Sequence, residues 1–188
     1  MVDGHTLVLG GARSGKTGFA ERLAMRSGQR PVYLATATAL DSEMRDRVRT
    51  HQEQRQGRFR TIEEPLDLSA ALVRASQEGD VILVDCLTLW ITNMLGAEID
   101  VADAVEELAA TLGAIATARV ILVSNEVGQG IVPDNPLART FRDLAGSAHQ
   151  RLAEICDDVY FVVAGLPVTL KGEPTGNGEP VVSGRHEA

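Results

Sequence analysis

Short apolar runs recur along the chain, and segments of helical period separate them. The runs are rich in Val, Ile and Leu on both alternating faces, which is typical of parallel strands covered by helices on either side. The pattern predicts strands at 5–10, 31–35, 80–85, 119–124 and 158–163. It predicts helices at 15–27, 42–56, 67–77, 87–95, 102–117 and 136–155.

This alternation of strand and helix predicts an α/β fold, a three-layer sandwich with a mostly parallel sheet and right-handed crossovers. No linker rich in Pro, Gly or Ser divides the chain, and the sequence contains no internal repeat. Residues 1–171 are therefore predicted to form one catalytic domain. The tail at 172–188 is rich in Gly and Pro, and we expect it to be disordered or to add a short edge strand at 180–182.

The composition is that of an acidic globular protein, with 188 residues, a formal net charge of −8 and 44% hydrophobic residues. The negative charge argues against binding to nucleic acid or to an anionic membrane surface, because long-range attraction to phosphates needs a positive field. No apolar run reaches the roughly 18 residues of a spanning helix, and the N-terminus lacks a signal-peptide pattern. We therefore expect no membrane anchor and a cytoplasmic location. Cys86 and Cys156 are too few for a disulfide framework or a zinc site, and we predict that both are buried.

A phosphate-loop motif stands between the first predicted strand and the first predicted helix. Its sequence, Gly-Gly-Ala-Arg-Ser-Gly-Lys-Thr, matches the pattern G-x-x-x-x-G-K-S/T. Glycines allow backbone N–H groups to turn inward around phosphate oxygens, and the helix directs its positive end toward the same place. Lys16 is predicted to reach the β- and γ-phosphates, and the Thr17 hydroxyl is predicted to bind Mg²⁺. The fold class is therefore predicted to be a P-loop NTPase of the RecA-like type. The nucleotide-binding residues of the loop are Gly10, Gly11, Ala12, Arg13, Ser14, Gly15, Lys16 and Thr17.

Carboxylates follow two of the predicted strands. Asp85 ends the run at 81–85. In phosphate-loop proteins, a carboxylate at the end of such a strand organises the metal ion. Strands also end in Asp for capping alone. Glu126 stands just past the strand at 119–124, where ligands gather in open α/β sheets. It could act as a base or bind an acceptor, and a plain loop carboxylate explains it equally well. These motifs predict nucleotide and Mg²⁺ binding but do not identify the acceptor.

A set of further motifs occurs in a fixed order along the chain, at 9–17, 33–37, 41–44, 47–51, 123–128, 130–133 and 142–146. Through them the chain resembles, over nearly its whole length, the bifunctional adenosylcobinamide kinase / adenosylcobinamide-phosphate guanylyltransferase family of cobalamin biosynthesis. The resemblance implies phosphorylation of the aminopropanol hydroxyl of adenosylcobinamide with ATP or GTP. It then implies transfer of GMP from GTP to that phosphate, which gives adenosyl-GDP-cobinamide and pyrophosphate. It also implies a homo-oligomer, a trimer.

The same resemblance implies roles for individual residues. His51 would be the nucleophile that forms a GMP-histidine intermediate. Thr50 stands where some relatives carry a second histidine, which makes the assignment to His51 less ambiguous. Besides the phosphate loop, the nucleotide site would include Ala35, Thr36, Ala37, Gln52, Glu53, Gln54, Arg55, Glu63 and Asp85.

The segment around His51 is basic within an acidic chain. Between Ser42 and Arg60 six arginines stand against three acidic residues, a balance of +3. Such a segment could surround a triphosphate and stabilise departing pyrophosphate. The residues alone favour a solvated charged helix, and the resemblance reverses that preference. The other three histidines are less suited to the nucleophile role. His5 starts a strand, His149 lies within a long helix, and His186 lies in the tail.

Two other functions remain open from the sequence. One is a P-loop kinase for another small metabolite, without nucleotidyl transfer. The other is a regulatory or motor NTPase, in which Arg139 or Arg142 would act as an arginine finger. A corrinoid is large for a domain of this size, so subunits could form its site together. The apolar stripe at 87–95 is either a contact between subunits or an internal packed helix.

Overall fold

The computed structural model describes residues 4–26, 31–37 and 57–172. Five helices lie in these ranges: α1 Lys16–Met25, α2 Leu68–Ser76, α3 Leu87–Gly96, α4 Val101–Ala114 and α5 Pro136–Ile155. The described strands are β1 Thr6–Gly10, β2 Val32–Ala35, β3 Arg60–Glu63, β4 Val81–Asp85, β5 Arg119–Asn125, β6 Asp158–Val163 and β7 Leu166–Lys171. The predicted helix at 42–56 and the predicted strand at 180–182 lie outside the described residues.

These strands form one sheet in the order β3-β2-β4-β5-β1-β6-β7. Every neighbouring pair is parallel except β6 and β7, which form an antiparallel hairpin. Strand β5 separates β1, which leads into the phosphate loop, from β4, which ends in Asp85. The predicted mostly parallel sheet of a RecA-like P-loop NTPase is therefore confirmed.

Two strands at the edges of the sheet were not predicted. β3 carries no apolar run, and its side chains are largely exposed, so it joins β2 through backbone pairing. β7 follows a tight turn at Ala164 and Gly165, where both residues have positive φ. Its alternation of half-buried and exposed residues is typical of an edge strand, where Pro167 is also tolerated. Edge strands need less burial than central ones, and hydrophobic runs therefore do not reveal them.

Successive strand residues point to opposite sides of the sheet, so each central strand has two apolar faces to bury. Helices cover both faces. Leu7 and Leu9 of β1 belong to the larger core, which helices α2 to α5 cover. Val8 belongs to the smaller core, in which Phe19 and Leu23 of α1 pack against the sheet. The three predicted layers are present.

The apolar stripe at 87–95 lies in the larger core. Leu87, Trp90, Ile91 and Met94 of α3 are buried there, so the interpretation as an internal helix is right, and these side chains offer no contact to another subunit. Both cysteines are buried as predicted. Burial raises the pKa of the Cys156 thiol to about 12, which makes it inert near neutral pH. None of the described helices has the length and apolar character needed to cross a membrane.

Candidate nucleotide-binding and active site

The phosphate loop has the backbone shape that its residue types require. It leaves β1 at Gly10 and enters α1 at Lys16, and φ is positive at Arg13 and Gly15. A Cβ atom at Gly10 would lie 2.6 Å from both the Ser14 Oγ and the carbonyl oxygen of Val162. Only glycine fits at position 10, and the loop is held close to the end of β6.

Lys16 is buried in the first turn of α1, although lysine side chains are rarely buried without a partner. Its Nζ donates to the carbonyl oxygen of Gly11 at 3.2 Å. The side chain therefore folds back over the loop and keeps its charge at the helix N-terminus, where backbone N–H groups already favour anions.

Thr17 and Asp85 meet in this structure, as the predicted magnesium site requires. The Thr17 hydroxyl donates to the Asp85 Oδ2 at 3.2 Å, and α1 and β4 supply the two residues. Hydroxyl and carboxylate oxygens are suitable ligands for Mg²⁺, which takes most of its other ligands from water and nucleotide phosphates. Residues 4–26, 31–37 and 57–172 contain no cluster of three or more His, Cys, Asp or Glu residues that could hold a metal ion by itself. The pair therefore fits Mg²⁺ that arrives with a nucleotide.

Tyr33 also contacts Asp85 and was not among the predicted site residues. Its hydroxyl donates to the Asp85 Oδ2 at 2.8 Å. The β2–β4 register pairs Ala35 with Asp85 and thereby places Tyr33 two residues earlier on the same face. The sequence signal that could have identified Tyr33 is its hydroxyl, a single polar group within an otherwise apolar strand.

The predicted nucleotide residues of β2 and β3 lie in one row at the carboxyl edge of the sheet. Ala35 pairs with Asp85 on one side and with Glu63 on the other. Asp85 links this row to the phosphate loop, because its carboxylate accepts a hydrogen bond from the Thr17 hydroxyl.

Thr36 holds the end of β2 in place. Its hydroxyl donates to the carbonyl oxygen of Cys86 at 2.8 Å and accepts from the N–H of Cys86 at 2.9 Å. Its own N–H donates to the carbonyl oxygen of Asp85, and its carbonyl oxygen accepts from the Asn93 Nδ2. These hydrogen bonds to protein groups fix the position of Thr36 and of its neighbours Ala35 and Ala37. Asn93, which sequence reasoning missed, also holds the end of β2 in place through its bond to the Thr36 carbonyl oxygen.

The predicted nucleophile and the residues after it lie outside the described residues: His51, Gln52, Glu53, Gln54 and Arg55.

A buried polar cluster lies at the end of β5 and was missed by sequence reasoning, which treated His149 as an ordinary helix residue. The His149 Nε2 and the Ser124 Oγ are 2.7 Å apart. The His149 Nδ1 lies 3.8 Å from the Glu126 Oε2. Burial lowers the pKa of the His149 imidazole, and the Glu126 carboxylate opposes this shift. The imidazole is therefore neutral at pH 7.

The β6–β7 turn packs against the phosphate loop. The N–H of Gly165 donates to the carbonyl oxygen of Ser14 at 2.7 Å. A Cβ atom at Gly15 would lie 3.0 Å from the Cα of Gly165. The hairpin therefore supports the loop from the side opposite β5, since β1 pairs with both β5 and β6.

Both arginines of the proposed finger make contacts within their own chain. Arg139 donates to the carbonyl oxygens of Pro133 and Asp134. Arg142 pairs with Asp143 at 2.9 Å. Both side chains serve the local structure at the start of α5, which weakens the regulatory NTPase alternative.

Comparison with known proteins supports the resemblance. The sequence model of a family described as cobinamide kinase / cobinamide phosphate guanyltransferase matches residues 6–170. The bifunctional adenosylcobalamin biosynthesis protein CobP of Pseudomonas aeruginosa (strain PAO1) is 50% identical over 172 residues, which cover 89% of this chain and 98% of the relative. The protein CobU of Salmonella typhimurium (strain LT2), of the same description, is 41% identical over 180 residues, which cover 88% of this chain and 98% of that protein.

Solved structures are similar in fold at low sequence identity. A structure titled as a structural study of Project ID PH0250, from Pyrococcus horikoshii OT3, has a TM-score of 0.54 at 10% identity. The match covers 93% of this chain and 89% of that chain. At this identity the likeness concerns the fold alone.

Proposed function

The chain belongs to the cobinamide kinase / cobinamide phosphate guanyltransferase family, and we propose that it performs both reactions at one nucleotide site. The first is phosphorylation of the aminopropanol hydroxyl of adenosylcobinamide with ATP or GTP. The second is transfer of GMP from GTP to that phosphate, with release of pyrophosphate. The observation that carries the proposal is the complete phosphate loop with Lys16 buried over it and Thr17 in contact with Asp85.

The loop would hold the triphosphate in both reactions. Backbone N–H groups between Gly11 and Thr17 and the N-terminus of α1 would surround the β- and γ-phosphates. The Lys16 ammonium would add a full positive charge. This environment would stabilise the charge that builds on a leaving nucleoside diphosphate in one reaction and on pyrophosphate in the other.

Thr17 and Asp85 would hold Mg²⁺, which supplies charge neutralisation on the phosphate oxygens. Tyr33 keeps the Asp85 carboxylate in place through its hydrogen bond. The row of Ala35, Glu63 and Asp85 would receive the nucleoside part, with Thr36 holding its centre.

His51 would provide the covalent step of guanylyl transfer. A neutral imidazole nitrogen attacks the α-phosphorus of GTP, the bond to the bridging oxygen breaks, and pyrophosphate leaves with the electron pair. A phosphate oxygen of the phosphorylated corrinoid then attacks the same phosphorus and releases the imidazole. Gln52, Glu53, Gln54 and Arg55 would surround the nucleotide next to it.

The two reactions need different lines of attack, because one occurs at the γ-phosphorus and the other at the α-phosphorus. A single loop can serve both if the groups that approach the nucleotide change place. We therefore expect the segment that carries His51 to occupy different positions in the two steps.

Covalent labelling tests the proposal most directly. Wild-type protein incubated with Mg²⁺ and GTP labelled in the α-phosphate should retain acid-labile GMP after denaturation. His51→Ala should lose the label and guanylyl transfer while phosphorylation persists, and Lys16→Ala should lose both activities.

Other outcomes would identify the alternatives. Phosphorylation without any protein-bound GMP in the wild type would indicate a kinase alone. Nucleotide hydrolysis without any corrinoid product would indicate a regulatory NTPase. Full guanylyl transfer by His51→Ala would show that the covalent scheme is wrong.

A further inference from the structure

We propose that the Glu126 carboxylate is the general base of the phosphorylation step and that His149 is the residue that positions it. The inference rests on the proposed function, and it assigns a role to a residue for which the sequence left several roles open.

The backbone places Glu126 beside the phosphate loop. Its N–H donates to the carbonyl oxygen of Gly10 at 3.0 Å, directly after the paired residues Gly10 and Asn125. β5 also pairs with β4, where Val123 lies opposite Asp85. Glu126 thus stands at the carboxyl edge of the sheet between the phosphate loop and the Asp85 carboxylate, where an acceptor must approach the γ-phosphate.

The Glu126 side chain is held but remains accessible. The N–H of Gly128 donates to its Oε1, and its Oε2 faces the His149 Nδ1 at 3.8 Å. The side chain keeps 21% of its surface exposed. A carboxylate that served the loop alone would not need a buried imidazole directed at its second oxygen.

Ser124 and His149 form the support behind this carboxylate. Ser124 is fully buried and His149 is 6% exposed. A neutral imidazole has one N–H. If Nε2 carried it, the lone pair of Nδ1 would face the carboxylate, which is unfavourable. With the proton on Nδ1, the N–H faces Glu126, and the Ser124 hydroxyl donates to Nε2 at 2.7 Å. At 3.8 Å this N–H orients the carboxylate electrostatically rather than through a direct hydrogen bond.

The chemical step balances with these groups. The hydroxyl oxygen of the acceptor forms a bond to the γ-phosphorus, and its proton passes to the Glu126 carboxylate. The bond between the γ-phosphorus and the bridging oxygen breaks, and the nucleoside diphosphate leaves with the electron pair. Glu126 then returns the proton to solvent.

Guanylyl transfer does not need this base. The acceptor in that step is a phosphate that is already ionised near pH 7, so no proton has to be removed from it. Loss of Glu126 should therefore separate the two activities in the opposite direction from loss of His51.

The test compares Glu126→Gln with the wild type in two separate assays. We expect kcat for phosphorylation of adenosylcobinamide to fall by about 10²- to 10⁴-fold, the usual contribution of a general base. Protein labelling by GTP and transfer to chemically prepared adenosylcobinamide phosphate should stay within about threefold. Glu154→Gln is the matched control, because Glu154 is an exposed carboxylate at the far end of α5 that pairs with Arg151. It should leave both assays unchanged.

His149 is tested as a positioning residue by two substitutions. His149→Asn places an amide N–H near the position of Nδ1, and His149→Leu removes both nitrogens. We expect His149→Leu to lower kcat for phosphorylation at least tenfold at unchanged KM for the acceptor and unchanged guanylyl transfer. His149→Asn should recover part of that kcat. Equal loss of both activities in both variants would indicate a merely structural histidine and overturn this part.

Three results would overturn the inference. Phosphorylation by Glu126→Gln within about threefold of wild type would overturn it while the proposed function stands. A wild type that phosphorylates no corrinoid would overturn the proposed function and the inference together. If Glu126→Gln does not fold, Glu126→Asp keeps the charge and shortens the side chain, and it should lose at least tenfold in phosphorylation alone. Full activity of that variant would also overturn the inference.

Discussion

At position 10 a side chain would meet two atoms that are already in place, the Ser14 Oγ and the carbonyl oxygen of Val162. One of these belongs to the loop and the other to the backbone of β6, which pairs with β1 and β7. The Val162 oxygen is a backbone atom of β6 and cannot move without shifting the strand that pairs with β1 next to the loop. This single residue therefore couples the stability of the fold to the shape of the nucleotide site.

We expect Gly10→Ala to lower the free energy of unfolding by about 1–3 kcal/mol, as overpacking does, and to weaken nucleotide binding at least tenfold. Gly113→Ala is the control, because a Cβ atom there meets nothing within 4 Å and Gly113 lies within α4. It should raise the free energy of unfolding by about 0.5–1 kcal/mol. Urea denaturation measures the free energy of unfolding, and nucleotide titration measures the affinity for nucleotide. A Gly10→Ala protein with wild-type affinity would contradict the prediction.

Tyr33 contacts Asp85, the proposed magnesium ligand, through one hydroxyl group. Tyr33→Phe removes the hydrogen bond to the Asp85 Oδ2 and keeps the packing of the ring against Phe59. We expect the Mg²⁺ concentration for half-maximal activity to rise several-fold, while the midpoint of thermal unfolding changes little. Titration of activity with Mg²⁺ at saturating nucleotide checks this, with Thr17→Ser, which keeps its hydroxyl, as the control. An unchanged Mg²⁺ dependence would show that Tyr33 serves the fold only.

At the scale of elements, the long helix α5 connects the site to the core. Ala145, Ala148, His149 and Leu152 form its buried face, so that a single polar residue lies among apolar ones. The helix thereby sets the position of the imidazole behind β5. A shift of α5 along its axis would move His149 away from Ser124 and Glu126 together.

The buried histidine predicts a pH dependence of stability. Burial lowers the pKa of His149 below its ordinary value of 6.5, although Glu126 opposes the shift. The unfolded chain therefore binds a proton near pH 6.5 that the folded chain does not. The contribution of the neutral His149 to the free energy of unfolding is complete above pH 6.5. It falls as the pH drops from there toward the pKa in the folded state, by up to about 1.4 kcal/mol per pH unit. Urea denaturation between pH 7.5 and 5.5 should show a smaller loss for His149→Asn than for the wild type. An equal loss would contradict this.

The β6–β7 hairpin joins the far edge of the sheet to the phosphate loop. Its turn contacts Ser14 and Gly15, while its outer strand exposes Leu166, Val168 and Leu170 on one face. A contact made on this strand would thus lie on the same element that supports the loop.

At the scale of the whole molecule, we expect a homo-oligomer, and a trimer by resemblance to the family. Light scattering should then give about 60 kDa, which is 3 × 20.1 kDa. The exposed apolar row of β7 is the surface on which we expect copies to meet, since large exposed apolar patches mark contacts. Leu166→Ser with Leu170→Ser should lower the mass toward that of one chain. Val73→Ser, a change of another exposed apolar residue on α2, should not. A wild-type mass of 20 kDa would contradict the prediction.

The central strands and the phosphate loop could be predicted because their signals are local. A run such as 81–85 is apolar at each position before its final Asp85, and a loop motif needs only eight adjacent residues in a fixed order. Burial on both faces and phosphate binding impose these patterns directly on neighbouring positions. The same local order of motifs carries the resemblance to the family.

The edge strands β3 and β7 could not be predicted, because neither carries a buried apolar run. The polar contacts of the site could not be predicted, because they join residues far apart in the chain. Tyr33 and Asp85 are separated by 52 positions, and Ser124 and His149 by 25. Their meeting depends on the register of parallel strands and on how far α5 lies across the sheet, and no local pattern encodes either. By itself, the sequence determined the layers, the phosphate loop and the family. The tertiary structure alone decided which side chains support Asp85 and Glu126, because packing, not spacing, brings them together.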